Sequence, residues 1–218
     1  MPNLLPGLRK FTHDVFPELK PEFESLSKGQ TPHTLFITCS DSRVVPNLLT
    51  QTQPGEIFLV RNAGNIVPPF GASRGGEEAA IEFAIDGLKV TNIVICGHSH
   101  CGAMAAFLSP EKIQKMPSVR NWLEHAAATK RRLEAIKKGE IPTLLEVTEE
   151  NVLVQADNLK THPSVSAALR EKRIRIYGWV YHFETGVVMI YDPLNHRYVC
   201  SSEVKEEASK DATRFCLA

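Results

Sequence analysis

Short apolar runs alternate with segments of helical periodicity through the middle of this 218-residue chain. TLFITC (34–39), EIFLV (56–60) and NIVIC (92–96) predict buried strands, and GGEEAAIEFAIDGLKV (75–90) predicts a helix before the third of them. Parallel neighbours need a crossover connection that is usually helical, whereas antiparallel neighbours need only a tight turn. The alternation therefore predicts an α/β fold with a mostly parallel central sheet flanked by helices.

The C-terminal part of the chain carries a different signal. RIRIYGWVYHF and GVVMIYD are two strand-like runs joined by Glu184-Thr185-Gly186, which predicts an antiparallel hairpin and an antiparallel C-terminal edge strand. Helices are predicted at 101–108, from about 117 to 138, and twice across 144–172. We expect a single domain over residues 1–218.

The first thirty residues predict a helical arm rather than part of the sheet. Pro17 and Pro21 interrupt the pattern and indicate a second short helix that ends near Lys28-Gly29. An amphipathic arm needs a surface to cover, and we expect residues 1–30 to pack on a partner subunit. The apolar residues near helical spacing are Leu4, Leu5, Leu8, Phe11, Val15 and Phe16.

Charge and cysteine content limit the class of partner and the compartment. Twenty-five basic and twenty-five acidic residues give a net charge of +0, which indicates neither nucleic acid nor membrane as a partner and favours a small molecule. No apolar run is long enough to cross a bilayer, and the N-terminus lacks the apolar core of a signal peptide, so we expect a soluble, cytoplasmic protein. Five cysteines argue against a disulfide framework, and Cys200 and Cys216 are expected to be incidental thiols in a polar, mobile C-terminal segment.

Two of the predicted strands end in reactive side chains. The first runs into Cys39-Ser40-Asp41-Ser42-Arg43, and the third runs into Gly97-His98-Ser99-His100-Cys101-Gly102. Ligands of doubly wound sheets bind beyond the carboxyl ends of the strands. If these strands are neighbours, Cys39, His98 and Cys101 converge there.

Two thiolates and one imidazole suit zinc, and three protein ligands leave one tetrahedral position free, as in catalytic zinc sites. A closed structural site is the alternative. It needs a fourth ligand, usually in closely spaced pairs, and His100 would be crowded beside His98 and Cys101.

Asp41 and Arg43 form a second candidate group on the loop after the first strand. Arg43 can hold Asp41 ionised and oriented by charge-assisted hydrogen bonds. Asp41 can then accept a hydrogen bond from zinc-bound water, or it can fill the free position and close the site. Because two thiolates weaken the pull of zinc on its water, we expect the water pKa to lie above the value typical of three histidines and activity to rise through the alkaline range.

These motifs together resemble the β-class carbonic anhydrases of bacteria, cyanobacteria and plants. The resemblance implies reversible hydration of carbon dioxide to bicarbonate and a proton by zinc-bound hydroxide, with one Zn²⁺ per subunit. It makes Cys39, His98 and Cys101 the zinc ligands, makes Asp41 and Arg43 a catalytic pair, and implies a homodimer or a larger homo-oligomer. The segments that carry it are LFITCSDSRVVPN, PGEIFLVRNAGNIVPP, GGEEAAIEFAI, VICGHSHCGAM and GWVYHFETG.

The resemblance also implies a substrate site. Gln30 stands where a plant-like branch has a glutamine that donates a hydrogen bond to the substrate. Phe58, Ala63 and Phe83 match positions of a small apolar cleft, and the backbone amide of Gly102 would face the anion.

One position departs from a regulated branch of this family. That branch binds bicarbonate at a second site through a tryptophan, an arginine and a tyrosine, and it closes the catalytic site with the aspartate. Arg61 and Tyr181 match here, but Phe36 stands in the place of the tryptophan and has no N–H to donate. We therefore expect an open, active site at neutral pH, with Asp41 off the metal.

Three other functions fit fewer features of the sequence. A carbonyl sulfide or carbon disulfide hydrolase with the same zinc site is the nearest alternative, and pocket access would decide. A thiol-redox protein using Cys96 and Cys101 is disfavoured because no C-x-x-C motif is present. The loop from Gly71 to Gly76 lacks both the G-x-G-x-x-G pattern and the P-loop ending of nucleotide-binding sites.

Overall fold

The computed structural model describes residues 3–204 and 213–217, and the chain divides into two units, Met1–Thr31 and Pro32–Ala218. Among the described residues, no helix combines the length and apolar character that crossing a bilayer requires. The strands are β1 Thr34–Cys39, β2 Ile57–Asn62, β3 Asn92–His98, β4 Arg175–His182, β5 Val187–Asp192 and β6 Arg197–Cys200. The helices are α1 Leu5–Lys10, α2 Phe16–Leu26, α3 Pro46–Thr50, α4 Gly76–Glu82, α5 Gly102–Leu108, α6 Pro117–Leu123, α7 Ala127–Lys137, α8 Leu144–Lys160 and α9 Pro163–Arg170.

The N-terminal unit is helical from α1 to α2 without a break. A π-helical turn at Phe11–Val15 joins the two helices, and the second helix, predicted to end near Lys28-Gly29, ends at Leu26. Pro17 falls in the first turn of α2, where a missing N–H costs little. Pro21 lies inside α2 and removes one helical hydrogen bond without ending the helix. Leu4, at the start of the arm, is 72% exposed.

The second unit has the predicted sheet. Within the described part of the chain it contains six strands in the order β2-β1-β3-β4-β5-β6. The first four strands are mutually parallel, while β5 and β6 are antiparallel to their neighbours. Ile37 of β1 pairs with Val60 of β2 and Ile95 of β3. This register makes β1 and β3 neighbours, as the prediction of a shared site requires.

Side chains alternate between the two faces of the sheet, and the faces are packed differently. One face carries residues such as Leu35, Ile37 and Ile95, which pack against α4, α8 and α9 in the main core. On the other face, Phe36 lies edge-on to Trp179 at a centroid distance of 5.9 Å. A cavity of about 420 Å³ opens on that second face, lined in part by these two rings.

Gly97 lets α8 pack closely on the sheet beside the end of β3. A Cβ atom at this position would lie 3.0 Å from Cγ2 of both Thr148 and Val152 on α8. Both side chains are buried, so a methyl group at position 97 would require them to shift within a closely packed region. The glycine therefore fixes α8 against the strand that carries His98.

Several helices differ from their predicted extent. The helix predicted from about 117 to 138 is divided into α6 and α7 by a 3₁₀ turn at Glu124–Ala126. The helix predicted over 75–90 is α4 followed by a π-helical turn at Phe83–Gly87. Helix α3 was not predicted, because five residues are too few to show helical periodicity.

The two edge strands of the sheet, β2 and β6, both differ from the predictions. EIFLV was predicted to end at residue 60, but β2 continues to Asn62. The antiparallel edge was predicted as one strand, and the structure adds β6 outside β5. Cys200 therefore ends a paired strand and is half-buried rather than part of a mobile segment.

Candidate metal centre and active site

The carboxyl ends of β1 and β3 bring three ligand-type side chains together. Cys39 ends β1, His98 ends β3, and Cys101 immediately precedes α5. Their ligand atoms all lie within 4.8 Å of one another, and all three residues are buried. We call these residues the cysteine–histidine cluster. The structure thus brings together the three residues that the sequence predicts to be metal ligands.

The hydrogen bonding of His98 leaves one ring nitrogen free to bind a metal. Its Nδ1 lies 2.8 Å from the carbonyl oxygen of Ser99, which can only accept, so Nδ1 carries the proton. Nε2 is buried and has no hydrogen-bond partner. A buried polar atom without a partner costs free energy unless another interaction satisfies it. This is the arrangement of a metal-binding imidazole whose other nitrogen is held by a carbonyl.

The two thiols of the cluster affect each other's ionisation. A hydrogen bond from Cys101 is the largest cause that lowers the pKa of Cys39, to about 4, and the Gly64 N–H, 3.4 Å from Sγ, adds to it. The same bond, together with burial, raises the pKa of Cys101. Burial lowers the pKa of His98, but its contact with Cys39 outweighs this and raises it. Ionisation of the second thiol is therefore unfavourable unless a cation binds between the two sulfurs. Two sulfurs and one nitrogen form a ligand set that suits zinc.

Asp41 and Arg43 form a closely paired carboxylate and guanidinium beside the cluster. Arg43 donates from its backbone N and from Nε to Oδ1 of Asp41, at 3.0 and 2.9 Å, and from Nη2 to Oδ2 at 2.8 Å. These bonds from Arg43 are the main reason that the pKa of Asp41 lies well below its usual range. Oδ2 of Asp41 is also 3.8 Å from Nε2 of His98. We call these two residues the Asp41–Arg43 pair.

Arg61 holds the loop on which the pair lies, a role that sequence reasoning did not find. Its guanidinium donates to the carbonyl oxygens of Cys39 at 3.2 Å, Asp41 at 2.9 Å and Val44 at 2.9 Å. Arg61 lies on β2 opposite Thr38, one row before Cys39. The sequence singled out Arg61 only as a match to the arginine of a second bicarbonate site, which does not predict these three hydrogen bonds.

The predicted substrate residues fall in three places. Ala63 follows Asn62, the register partner of Cys39, and Gly102 follows Cys101, so both are next to the cluster. Phe58 lies four residues before Asn62, about 13 Å along the strand. The Phe58 ring contacts Phe83 at a centroid distance of 6.0 Å.

Gln30, the remaining predicted substrate residue, belongs to the N-terminal unit. Its role stays a prediction.

Comparison with known proteins agrees with the geometry of the site. A family model described as "Carbonic anhydrase" matches residues 34–188. The chain is 49% identical over 192 residues to a carbonic anhydrase of Synechococcus elongatus, covering 87% of this chain and 71% of that protein. It is 44% identical over 207 residues to a carbonic anhydrase of Pseudomonas aeruginosa, covering 94% of each.

Solved structures give the same result. The structure of the β-carbonic anhydrase CcaA matches with a TM-score of 0.87 at 42% identity and covers 95% of each chain. A chain from the tetrameric β-carbonic anhydrases of Sordaria macrospora matches with a TM-score of 0.75 at 28% identity, covering 85% of this chain and 93% of that one.

Proposed function

Because the chain belongs to the β-carbonic anhydrase family and catalyses the reversible hydration of carbon dioxide to bicarbonate and a proton, we propose that its cysteine–histidine cluster holds one zinc ion per subunit. The convergence of three buried ligand atoms within 4.8 Å carries this proposal. The unpartnered Nε2 of His98 supports it independently. When bound, zinc supplies a Lewis acid that makes water acidic enough to serve as a nucleophile near neutral pH.

The Asp41–Arg43 pair gives the site a hydrogen-bond acceptor of fixed direction. An ionised carboxylate accepts hydrogen bonds and cannot donate them. Arg43 occupies both oxygens of Asp41 and keeps the group ionised, so the carboxylate orients any proton donor next to the cluster. The same bonds support the open site expected from Phe36, because they hold the Asp41 carboxylate on Arg43.

Carbon dioxide is small and apolar, and its product is an anion. Ala63 offers an apolar surface beside the cluster, and the Gly102 amide, at the start of α5, offers a donor for an anionic oxygen. We further propose that Gln30 donates to the substrate. Phe58 and Phe83 lie together away from the row that holds Cys39, so we propose that they line the cleft of a neighbouring subunit.

A homo-oligomer is consistent with two surfaces that the described chain leaves uncovered. Phe36 and Trp179 line a cavity of about 420 Å³ on the face of the sheet opposite the main core. In the N-terminal unit, Leu5 and Leu8 are 62% and 60% exposed. We propose that residues 1–30 form an arm that packs on a partner subunit. Cys39, Cys96, Cys101 and Cys200 form no disulfide bond, which supports a reducing, cytoplasmic location.

Stopped-flow hydration of carbon dioxide from about pH 6.5 to 9.5, on zinc-loaded protein beside Cys39→Ser, tests the proposal. We expect strong activity that rises with pH, one zinc per subunit, and loss of both in the variant. Stoichiometric zinc without hydration would contradict the assignment, and carbonyl sulfide and carbon disulfide would then be tested. Hydration that persists in zinc-free Cys39→Ser would contradict the role of the cluster.

A further inference from the structure

Phe183 lies beside the site, in the turn between β4 and β5. The centre of its ring is 4.2 Å from the guanidinium carbon of Arg43. A cation over the face of an aromatic ring is attracted by the negative charge of that face, within about 6 Å of the centre. Phe183 therefore makes a cation–π contact with the arginine of the Asp41–Arg43 pair.

The Phe183 ring also contacts two histidines that lie near the site. It packs against the imidazole of His98 at a centroid distance of 6.1 Å and against that of His100 at 5.7 Å. The next residue, Glu184, accepts a hydrogen bond from the hydroxyl of Ser99. The turn that carries Phe183 is thus tied to the residues that follow β3.

Arg43 needs such a support more than the cluster residues do. Its side chain is 48% exposed, and a long, exposed arginine loses rotamer entropy when it is held in one position. Apart from Asp41, it donates to the carbonyl oxygen of His100 at 3.3 Å, which is long for a hydrogen bond. The Phe183 ring lies against the central carbon of the guanidinium, while Nε and Nη2 bind the Asp41 carboxylate.

We propose that Phe183 is a positioning residue for carbon dioxide hydration, because its ring holds the Arg43 guanidinium in the plane that clamps Asp41. This inference rests on the proposed role of the Asp41–Arg43 pair. Phe183 acts through its contact with Arg43. A leucine of similar size would fill the space without attracting the cation.

The first test compares Phe183→Leu with Phe183→Tyr in stopped-flow hydration and in NMR of the metal-free protein. We expect kcat/KM of Phe183→Leu to fall by about three- to tenfold, the range for a partly exposed cation–π contact, and Phe183→Tyr to recover most of it. The Nε–H of Arg43 should exchange faster with solvent in Phe183→Leu. Unchanged exchange with unchanged kcat/KM would overturn the proposal.

Two further variants separate positioning from a general loss of stability. In the Arg43→Ala background, Phe183→Leu should cause no additional loss, since the group it positions is gone. Phe70→Leu is the matched control, because its ring is 49% exposed and packs on His162 instead of an arginine. If Phe183→Leu lowers kcat/KM equally in both backgrounds, its role is only structural and the proposal is wrong.

A series of fluorinated phenylalanines at position 183 tests the charge of the ring at nearly constant size, so it does not depend on the leucine variant folding. We expect kcat/KM to decrease stepwise with each added fluorine, and a flat series would refute the cation–π contact.

Arg43→Ala distinguishes a failure of the proposed role of Phe183 from a failure of the proposed role of the Asp41–Arg43 pair. If Arg43→Ala keeps full activity, the proposed role of the pair is wrong as well, whereas a loss in Arg43→Ala with a flat series removes only Phe183.

Discussion

The cysteine–histidine cluster and the Asp41–Arg43 pair are adjacent, yet the protein holds them in different ways. The cluster is buried, and its residues lie at the ends of β1 and β3 and at the start of α5. The pair lies on an irregular loop, with Arg43 half-exposed, and hydrogen bonds and one aromatic ring hold it. Packing therefore fixes the position of the metal ligands, whereas polar contacts fix the acceptor beside them.

This difference predicts how each region responds to change. Removing a buried ligand should abolish the site, because the metal then loses one of its three protein ligands. Removing a polar support should leave the metal in place and weaken catalysis. Changes in the helices and strands that surround the site, which we call the scaffold, should lower the free energy of unfolding more than they lower catalysis.

The largest effect is expected from Cys101→Ser. Without a complete donor set, zinc content should fall to background and hydration should fall by at least about a thousandfold, because the Lewis acid is lost. Elemental analysis and stopped-flow hydration measure the two losses. Cys96→Ala is the matched control, since Cys96 is a buried thiol on β3 outside the cluster, and it should keep its zinc. A Cys101→Ser protein with full zinc would contradict the assignment of the ligands.

The next effect is expected from Arg43→Ala, which should keep the metal and lower kcat/KM by about 10- to 100-fold. Arg43 holds the pKa of Asp41 below its usual range, so its removal raises that pKa. The carboxylate is then lost at a higher pH, and the loss of activity should be greatest at the acid end of the profile. Zinc analysis with pH-dependent kinetics checks both points, and a uniform loss at every pH would refute the role in ionisation.

In the scaffold, Gly97→Ala should destabilise the fold by about 1–3 kcal/mol, because the added methyl group meets two buried methyl groups on α8. Urea unfolding measures this change. The double variant Gly97→Ala/Val152→Ala should be less destabilised than the sum of the single variants, since the second change makes room for the first. Additive losses would indicate that the contact with Val152 does not cause the strain.

The smallest effect is expected at the start of α8, where Thr143 caps the helix. Its hydroxyl accepts from the Glu146 N–H at 3.2 Å, and the Glu146 carboxylate accepts from the Thr143 N–H at 2.7 Å. Thr143→Ala should cost about 1 kcal/mol in unfolding and leave hydration unchanged. A Thr143→Ala protein that binds zinc fully but loses hydration activity would show that changes in the scaffold also affect catalysis.

Glu146 adds a pH dependence to the same cap. A hydrogen bond from Lys137, with those from Thr143, lowers the pKa of Glu146 from 4.5 to about 2. A lowered pKa stabilises the fold above the unfolded value, so the extra stability over Glu146→Gln should be full at neutral pH. It should shrink as the pH falls from about 4.5 toward 2, and unfolding in urea at several pH values measures it.

The sequence predicted the cluster well because each of its residues lies at the end of a strand that is visible in the sequence, or within a few residues of that end. TLFITC and NIVIC are short apolar runs, and the rule that parallel strands end at one edge of the sheet brings their next residues together. The hairpin of β4 and β5 was equally visible. Strand β6 was missed because its four residues, Arg197–Cys200, are too few to show alternation.

The supports of the pair could not be predicted, because they depend on contacts between distant segments. Arg61 reaches the loop after β1 only because β2 pairs with β1 in a particular register. Phe183 reaches Arg43 only because the turn after β4 folds over the end of β3. No local pattern of apolar or polar residues predicts that Arg61 contacts the loop after β1 or that Phe183 contacts Arg43.

The pairing of β3 with β4 also sets the order in which the molecule can form. Asn92 pairs with Arg175, so one of the two neighbours of the strand that ends at His98 is synthesised only after helices α5 to α9. Contacts between residues this far apart in the chain slow folding, because a long loop must close before they gain any energy. On the ribosome, β1, β2 and β3 emerge early with one side of β3 unpaired, and the hairpin that carries Phe183 arrives afterwards. All three ligands are therefore made well before the last of the structure that surrounds them.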